Sequence, residues 1–263
     1  VNTGNSGAPA FNLKGEVVGV NTAIFSPNGG SVGIAFAIPA DVVKSVATQL
    51  IEHGTVTRGF LGVGIQDVTR DIADSVGLDR AYGALVTEPS AGGPAEKAGI
   101  KSGDVIIKVD GREIESALDL SRTIAGKNPG TQVEITYWRN GKQATVKVTL
   151  DTLKEDEQAA QPGQPEQEQP SQPTPSSVGI TVVPNSGGEG LLVQGIEPDS
   201  IAASKGFQIG DTILEVDNKP VSTADEFEQA LQGVKQSGRN TALIKAQRDG
   251  ATRFIGLPLD EQD

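Results

Sequence analysis

Apolar residues recur along this chain in short runs of two kinds, some alternating with polar residues and some spaced three and four apart. Over 1–39 they come as glycine-punctuated runs, Gly15-Glu16-Val17-Val18-Gly19-Val20 and Ser31-Val32-Gly33-Ile34-Ala35-Phe36-Ala37-Ile38. Both read as strands, joined through the turn Ser26-Pro27-Asn28-Gly29-Gly30, where proline fixes one φ and glycine accepts positive φ. At 40–53 the period changes to that of a helix. Val43, Val46, Ala47, Leu50 and Ile51 form one stripe, Asp41 suits the positive N-terminal end, and Gly54 supplies a stop.

Residues 59–150 and 178–259 then repeat each other. The segment from Ala95 to Asp110 aligns with that from Ala202 to Asp217, so that Gly99, Gly103, Asp104, Ile106, Val109 and Asp110 recur as Gly206, Gly210, Asp211, Ile213, Val216 and Asp217. Glu88-Pro89 recurs upstream as Glu197-Pro198. A repeat of this length is a duplicated domain. Gly103-Asp104 and Gly210-Asp211 read as turns leading into core strands, with Asp capping backbone N–H groups. Between the copies, 154–177 is almost entirely Gln, Glu, Pro and Ser, which bury too little apolar surface to offset chain entropy. This segment reads as a linker, spanning about 25 Å as a coil and about 75 Å if polyproline-like.

Composition narrows the chemistry. The formal charge is −12 with no basic cluster, which argues against nucleic acid or an anionic membrane surface as partner. No apolar run approaches the roughly 18 residues of a membrane span. Cysteine is absent, which excludes disulfides, thiolate metal sites and a cysteine nucleophile. A chain that begins at Val1 and holds no methionine is expected to be part of a longer product.

The first chemically suggestive sequence is Gly4-Asn5-Ser6-Gly7. A serine becomes a nucleophile when a base takes its proton and donors stabilise the oxyanion, and flanking glycines let the backbone present both. Alone, the motif is as readily a turn. It is followed by Gly15 to Ile24, by Gly33-Ile34-Ala35-Phe36-Ala37-Ile38-Pro39, by a helix ending Leu50-Ile51-Glu52-His53-Gly54, and by Arg58-Gly59-Phe60-Leu61-Gly62-Val63. This order resembles the HtrA family of serine proteases, specifically the bacterial Do-type members with two PDZ domains.

The resemblance implies a mainly β fold: the last strands of a trypsin-like β-barrel (1–39), a linking helix (40–57), a first PDZ domain (58–153), the linker (154–177) and a second PDZ domain (178–260). Ser6 would be the nucleophile, with the N–H groups of Ser6 and Gly4 as oxyanion hole. Asn21, Thr22 and Ala23 would form an edge strand that pairs with substrate, and Gly33, Ile34 and Ala35 would line an apolar specificity pocket. The family usually has a second glycine where this chain has Ala8. The triad's histidine and aspartate would precede Val1, so this chain by itself is expected to be inactive; His53 reads as a cation at a helix C-terminus.

A PDZ domain binds an extended peptide as an added strand and receives its carboxylate on backbone N–H groups. In the first copy Arg58, Gly59, Phe60, Leu61, Gly62 and Val63 would form that receptor, with Leu118 and Ile124 on the helix closing the groove. In the second, Val178, Gly179, Ile180 and Thr181 take the same place, with Phe227 and Leu231 on the helix and no arginine before the loop. The implied function is a periplasmic endopeptidase of envelope protein quality control, homo-oligomeric, acting on unfolded polypeptides and peptide C-termini, without metal or cofactor. The rival is a non-catalytic tandem-PDZ peptide-binding scaffold or chaperone.

Overall fold

The computed structural model describes residues 4–26, 33–152, 174–185 and 187–260. Residues 27–30 of the expected turn 26–30, Ser31, Val32 and residues 154–173 of the expected linker 154–177 lie outside the described residues; the end of that linker is corrected, since Thr174 and Pro175 form a strand. The chain divides into two units, 1–58 and 59–263.

The first unit is a three-stranded antiparallel sheet in the order β1 (Pro9–Phe11), β2 (Val17–Phe25), β3 (Ile34–Pro39). It leads into α1 (Ala40–His53), which ends where Gly54 turns left-handed and donates its N–H to the Leu50 carbonyl. Among the described residues of this unit only Gly19 is buried. Phe11, Val17, Val18, Phe25, Ile34 and Phe36 are all exposed. The alternation that predicts these strands is therefore present without the layer that would cover their apolar side chains.

The second unit holds both repeats. The first repeat comprises β4 (Gly59–Phe60), β5 (Val63–Asp67), α2 (Arg70–Val76), β6 (Ala84–Pro89), α3 (Pro94–Lys97), β7 (Val105–Val109), β8 (Arg112–Glu113), α4 (Ala117–Ala125), β9 (Gln132–Arg139), β10 (Lys142–Thr149) and β11 (Asp151–Thr152). Its main sheet runs β10-β9-β7-β6-β5, β8 pairs β7, and β4 pairs β11 separately. The second comprises β12 (Thr174–Pro175), β13 (Ile180–Pro184), β14 (Leu191–Ile196), α5 (Ile201–Ser204), β15 (Thr212–Val216), β16 (Lys219–Pro220), α6 (Ala224–Gln236), β17 (Thr241–Arg248) and β18 (Ala251–Pro258). Its sheet runs β12-β13-β14-β15-β17-β18, with β16 on β15.

Each repeat closes its own core. Leu61, Val86, Ile106, Leu120, Ile124 and Ile135 are buried together in the first, and Ile180, Val182, Ile213, Phe227, Leu231 and Ile244 in the second. The helices α4 and α6 start at side-chain caps, Ser116 and Thr223, the latter in a reciprocal capping box with Glu226. The conserved-in-repeat aspartates do more than cap a turn. Asp104 accepts the Lys101 N–H but is also buried against Arg139, whose Nε and Nη2 each lie 2.5 Å from its oxygens. Asp211 is fully buried and receives Arg248 through Nε and Nη2, with Arg253 Nη2 at 2.8 Å.

The repeats also share a core with each other. The helix α2 has no counterpart among the described residues between β13 and β14 of the second repeat. Ile72, Ala73, Val68 and Leu78 pack with Leu85, Val105 and Ile107 of the first sheet and with Leu243 and Phe254 of the second. Lys205 Nζ reaches Asp71 Oδ2 at 2.6 Å, and Arg239 Nη1 donates to the Ser75 carbonyl at 2.7 Å. Gly256 faces the Asp71 backbone so closely that a Cβ there would overlap it. Bare backbone on β18 is what lets α2 approach.

Candidate catalytic loop and peptide grooves

The Ser6 loop is fastened to β2 and leaves the serine outside. Gly4 and Gly7 both have positive φ, 92° and 85°, a region costly for residues with a Cβ. The Gly7 N–H donates to the Asn21 carbonyl at 2.8 Å, and the Asn21 N–H to the Ala8 carbonyl at 3.0 Å. Ser6 is exposed, and its Oγ donates to the Thr22 carbonyl at 2.7 Å. Ala8 keeps an ordinary negative φ, so its methyl requires no glycine-like backbone at that position.

The expected edge strand is corrected in part. Asn21 sits within the sheet, its N–H and C=O taken by the Ser6 loop on one flank and its register partner Ala37 on the other. The pairing of β2 with β3 slips between Asn21 and Ala23, which makes Thr22 the extra residue of a bulge. That bulge turns the Thr22 carbonyl toward Ser6. Gly33, Ile34 and Ala35 are exposed at the start of β3. Gly33 has φ 153°, and a Cβ there would overlap the Phe25 carbonyl. His53, the one histidine of the sequence, is the last residue of α1.

In the first repeat the predicted receptor lies where a peptide strand could join. The free edge of the main sheet at this end is β5, and no strand pairs with its outer side among the described residues. Leu61 and Gly62 are buried just before it, with Gly62 left-handed at φ 72°. The N–H groups of Leu61 and Gly62 have no acceptor among the described residues. Gly59 donates instead to the Lys127 carbonyl beyond the C-terminus of α4, and the Asp67 carboxylate receives the Ala117 N–H at its start. Loop, strand and helix are thus tied together at both ends of the groove. Val63 and Ile65 are half-buried, Leu118 is exposed and Ile124 is core. Arg58 is exposed.

The second repeat superposes on this pattern by sequence: Val178 matches Leu61, Gly179 (φ 79°) matches Gly62, Ile180 matches Val63 and Val182 matches Ile65, each strand slipping register at the same point. Its environment differs. Ile180 and Val182 are fully buried, as are Phe227 and Leu231 on α6. Thr181 is half-buried. The arginine partners of Asp104 and Asp211 are the structural residues that reading the sequence misses, since each lies on a hairpin 35 to 42 positions downstream of its aspartate.

Comparison with known proteins bears on the chain as a whole. Two family models, both described as PDZ domain, match residues 59–150 and 167–244. Probable periplasmic serine endoproteases DegP-like align along the chain: that of Rhizobium meliloti is 47% identical over 99% of this chain and 53% of its own, and that of Bartonella henselae is 48% identical over 98% and 52%. The chain spans about half the length of the curated relatives it matches. A solved structure of the HtrA-type protease AlgW with tripeptide superposes with TM-score 0.53 at 36% identity, covering 60% of this chain and 52% of that one. The chain thus carries two PDZ domains and, along nearly its whole length, is similar to about half of each DegP-like relative and to the HtrA-type protease AlgW.

Proposed function

We propose that this chain supplies the nucleophile and the peptide-receiving domains of a periplasmic, HtrA-type serine endopeptidase of protein quality control. The observation that carries the reading is the Ser6 loop: an exposed hydroxyl between two left-handed glycines, on a loop fastened to β2 through Asn21. The whole-length likeness to relatives named as periplasmic serine endoproteases supports it. In this reading Ser6 Oγ attacks the scissile carbonyl, and the N–H groups of Ser6 and Gly4 hold the oxyanion. Substrate pairs along the flank of β2 from Thr22 to Ala23, and Gly33, Ile34 and Ala35 set a preference for small aliphatic residues. The base and the orienting carboxylate come from the half of the relatives that this chain does not span.

The PDZ domains engage exposed C-termini or extended segments and raise their effective concentration near the nucleophile. Arg58, next to the Gly59–Gly62 loop in sequence, is the proposed cation for the peptide carboxylate. The working form is a homo-oligomer, and its substrates are unfolded polypeptides.

The test joins this chain to the upstream half of the Rhizobium meliloti relative and measures casein hydrolysis. Hydrolysis that Ser6→Ala abolishes, with unchanged circular dichroism, supports the reading. A folded chimera without serine-dependent hydrolysis overturns it in favour of a tandem peptide-binding scaffold.

A further inference from the structure

The two PDZ grooves are in different states, and the difference lies in residues 174–177. In PDZ2 the outer edge of the groove strand β13 is already paired. Thr174 and Pro175 form β12, antiparallel to β13, in register with Val182 and Thr181. This is the edge, direction and pairing that an added peptide strand would use. PDZ1 has no such strand on β5 among the described residues.

The loop donors are taken as well. The Gly179 N–H donates to the Ser176 carbonyl at 3.1 Å, and the Ile180 N–H to Ser176 Oγ at 3.1 Å. Ser176 returns its own N–H to the Ile180 carbonyl at 2.7 Å. Gly179 corresponds to Gly62, whose N–H has no acceptor among the described residues. One serine thus sets an oxygen on the N–H that matches that of Gly62 and a second on the N–H that follows it. At the helix side, the Ser177 N–H donates to Glu228 Oε1 of α6 at 2.7 Å, bridging the groove from strand to helix. Glu228 occupies the position of Ser121 in α4, so PDZ1 has no carboxylate there.

Three separate sets of contacts, on the strand edge, the loop donors and the helix, converge on one segment. We infer that Thr174 to Ser177 is an intramolecular ligand of PDZ2, so that an external peptide enters this groove by displacing it, while PDZ1 is the open receptor. The inference rests on the reading of β5 with α4, and β13 with α6, as peptide grooves. A tethered occupant competes at an effective concentration of about millimolar, set by its short connection. An incoming peptide has one advantage, because a free carboxylate makes charge-assisted hydrogen bonds about twice as strong as those of the neutral Ser176 oxygens. The fitting external partner is therefore a hydrophobic C-terminus with a free carboxylate, and its affinity for PDZ2 is reduced by the fraction of molecules in the closed state.

The test uses the whole chain, with the backbone amides of Gly62, Gly179 and Ile180 resolved by NMR. A peptide ending in Val with a free carboxylate is titrated into the natural chain and into a variant with Thr174, Pro175, Ser176 and Ser177 all replaced by glycine. The expected result is a response at Gly62 first, with Gly179 and Ile180 following at about tenfold or higher peptide concentration. In the variant, the Gly179 and Ile180 midpoint should fall at least tenfold and the Gly62 midpoint should stay. Hydrogen exchange without peptide gives a second readout: Gly179 and Ile180 amides should lose protection in the variant while the core amide of Ile244 keeps its own. Equal midpoints at Gly62 and Gly179 in the natural chain would overturn the inference, as would a variant that gains neither affinity nor exchange. Silence of both grooves toward every peptide would instead overturn the groove reading on which it rests.

Discussion

Gln66 and Phe254, 188 residues apart, exchange two hydrogen bonds across the boundary between the PDZ domains: Gln66 Nε2 donates to the Phe254 carbonyl at 3.0 Å, and the Phe254 N–H donates to Gln66 Oε1 at 2.8 Å. The side-chain amide acts as a single peptide unit of an extra strand on the open edge of β18. Gln66 itself belongs to β5, the proposed groove strand of PDZ1, so that strand is bonded directly to the sheet of the other domain.

Removing that amide should loosen the domain boundary. Gln66→Ala leaves a backbone N–H and C=O of β18 without partners, at a cost of about 1–3 kcal/mol. Trp138 is the chain's one tryptophan, and it packs against the shared cluster with its Nε1 on the Val76 carbonyl at 2.8 Å. Urea unfolding followed by Trp138 fluorescence should shift to lower denaturant in Gln66→Ala. An unchanged midpoint would mean that the amide exchange contributes nothing to docking.

Gly256→Val should separate the domains more severely. The added side chain meets the Asp71 backbone, and overpacking of this kind typically costs about 1–3 kcal/mol. Small-angle scattering should report a larger radius of gyration with both domains still folded. A scattering curve identical to that of the natural chain would show that β18 and α2 do not need bare backbone between them.

The buried ion pairs predict an acid limit for PDZ2. Burial works to raise the Asp211 carboxyl, but the hydrogen bonds from Arg248 and the Gln208 N–H, with the charges of Arg253 and Arg248, hold it below its ordinary value. A carboxyl lowered by folding contributes stability that is present above its unfolded value, near about 3.9, and is lost as pH falls through the folded value. PDZ2 should therefore lose stability progressively below about pH 4. Asp211→Asn should remove that slope and, by leaving two arginines without their partner, destabilise the domain at neutral pH by about 3–5 kcal/mol. Thermal melts from pH 2 to 7 on both proteins check the sign, and a slope that persists in Asp211→Asn would assign the acid limit elsewhere.

The first unit should be the least protected part of the chain. Its sheet exposes Phe11, Val17, Val18, Phe25, Ile34 and Phe36, and local stability follows buried apolar contact. Hydrogen exchange should find the amides of β1 to β3 fast and those of both PDZ cores slow. Uniformly slow exchange in all three regions would contradict this.

Much of this architecture is legible in the sequence, because repetition and periodicity are local signals. The recurrence of Gly99, Gly103 and Asp104 as Gly206, Gly210 and Asp211 marks the duplication, and the stripe through Val43, Val46 and Leu50 marks α1. What escapes is set by distance and length. Asp104 reads as a turn cap and does accept the Lys101 N–H, but its arginine comes from a hairpin far downstream. The helix α2 has seven residues, too few for a helical period to stand out, yet it carries the interface. Ser176 lies in a stretch whose composition reads as linker, and the acceptors it places on Gly179 and Ile180 depend on a turn that no composition encodes.

The strand β12 has a further consequence, for solubility. A sheet's open edge is a template for another chain, and proteins blunt such edges to avoid aggregating. In PDZ2 the groove strand β13 is covered by its own hairpin and the outer strand β18 is touched by Gln66. In PDZ1 no strand covers the outer side of β5 among the described residues, as the proposed peptide receptor requires. On the proposed groove side, the hazard of edge-to-edge association is thereby greater at β5 than at β13, and peptide bound along β5 would remove it.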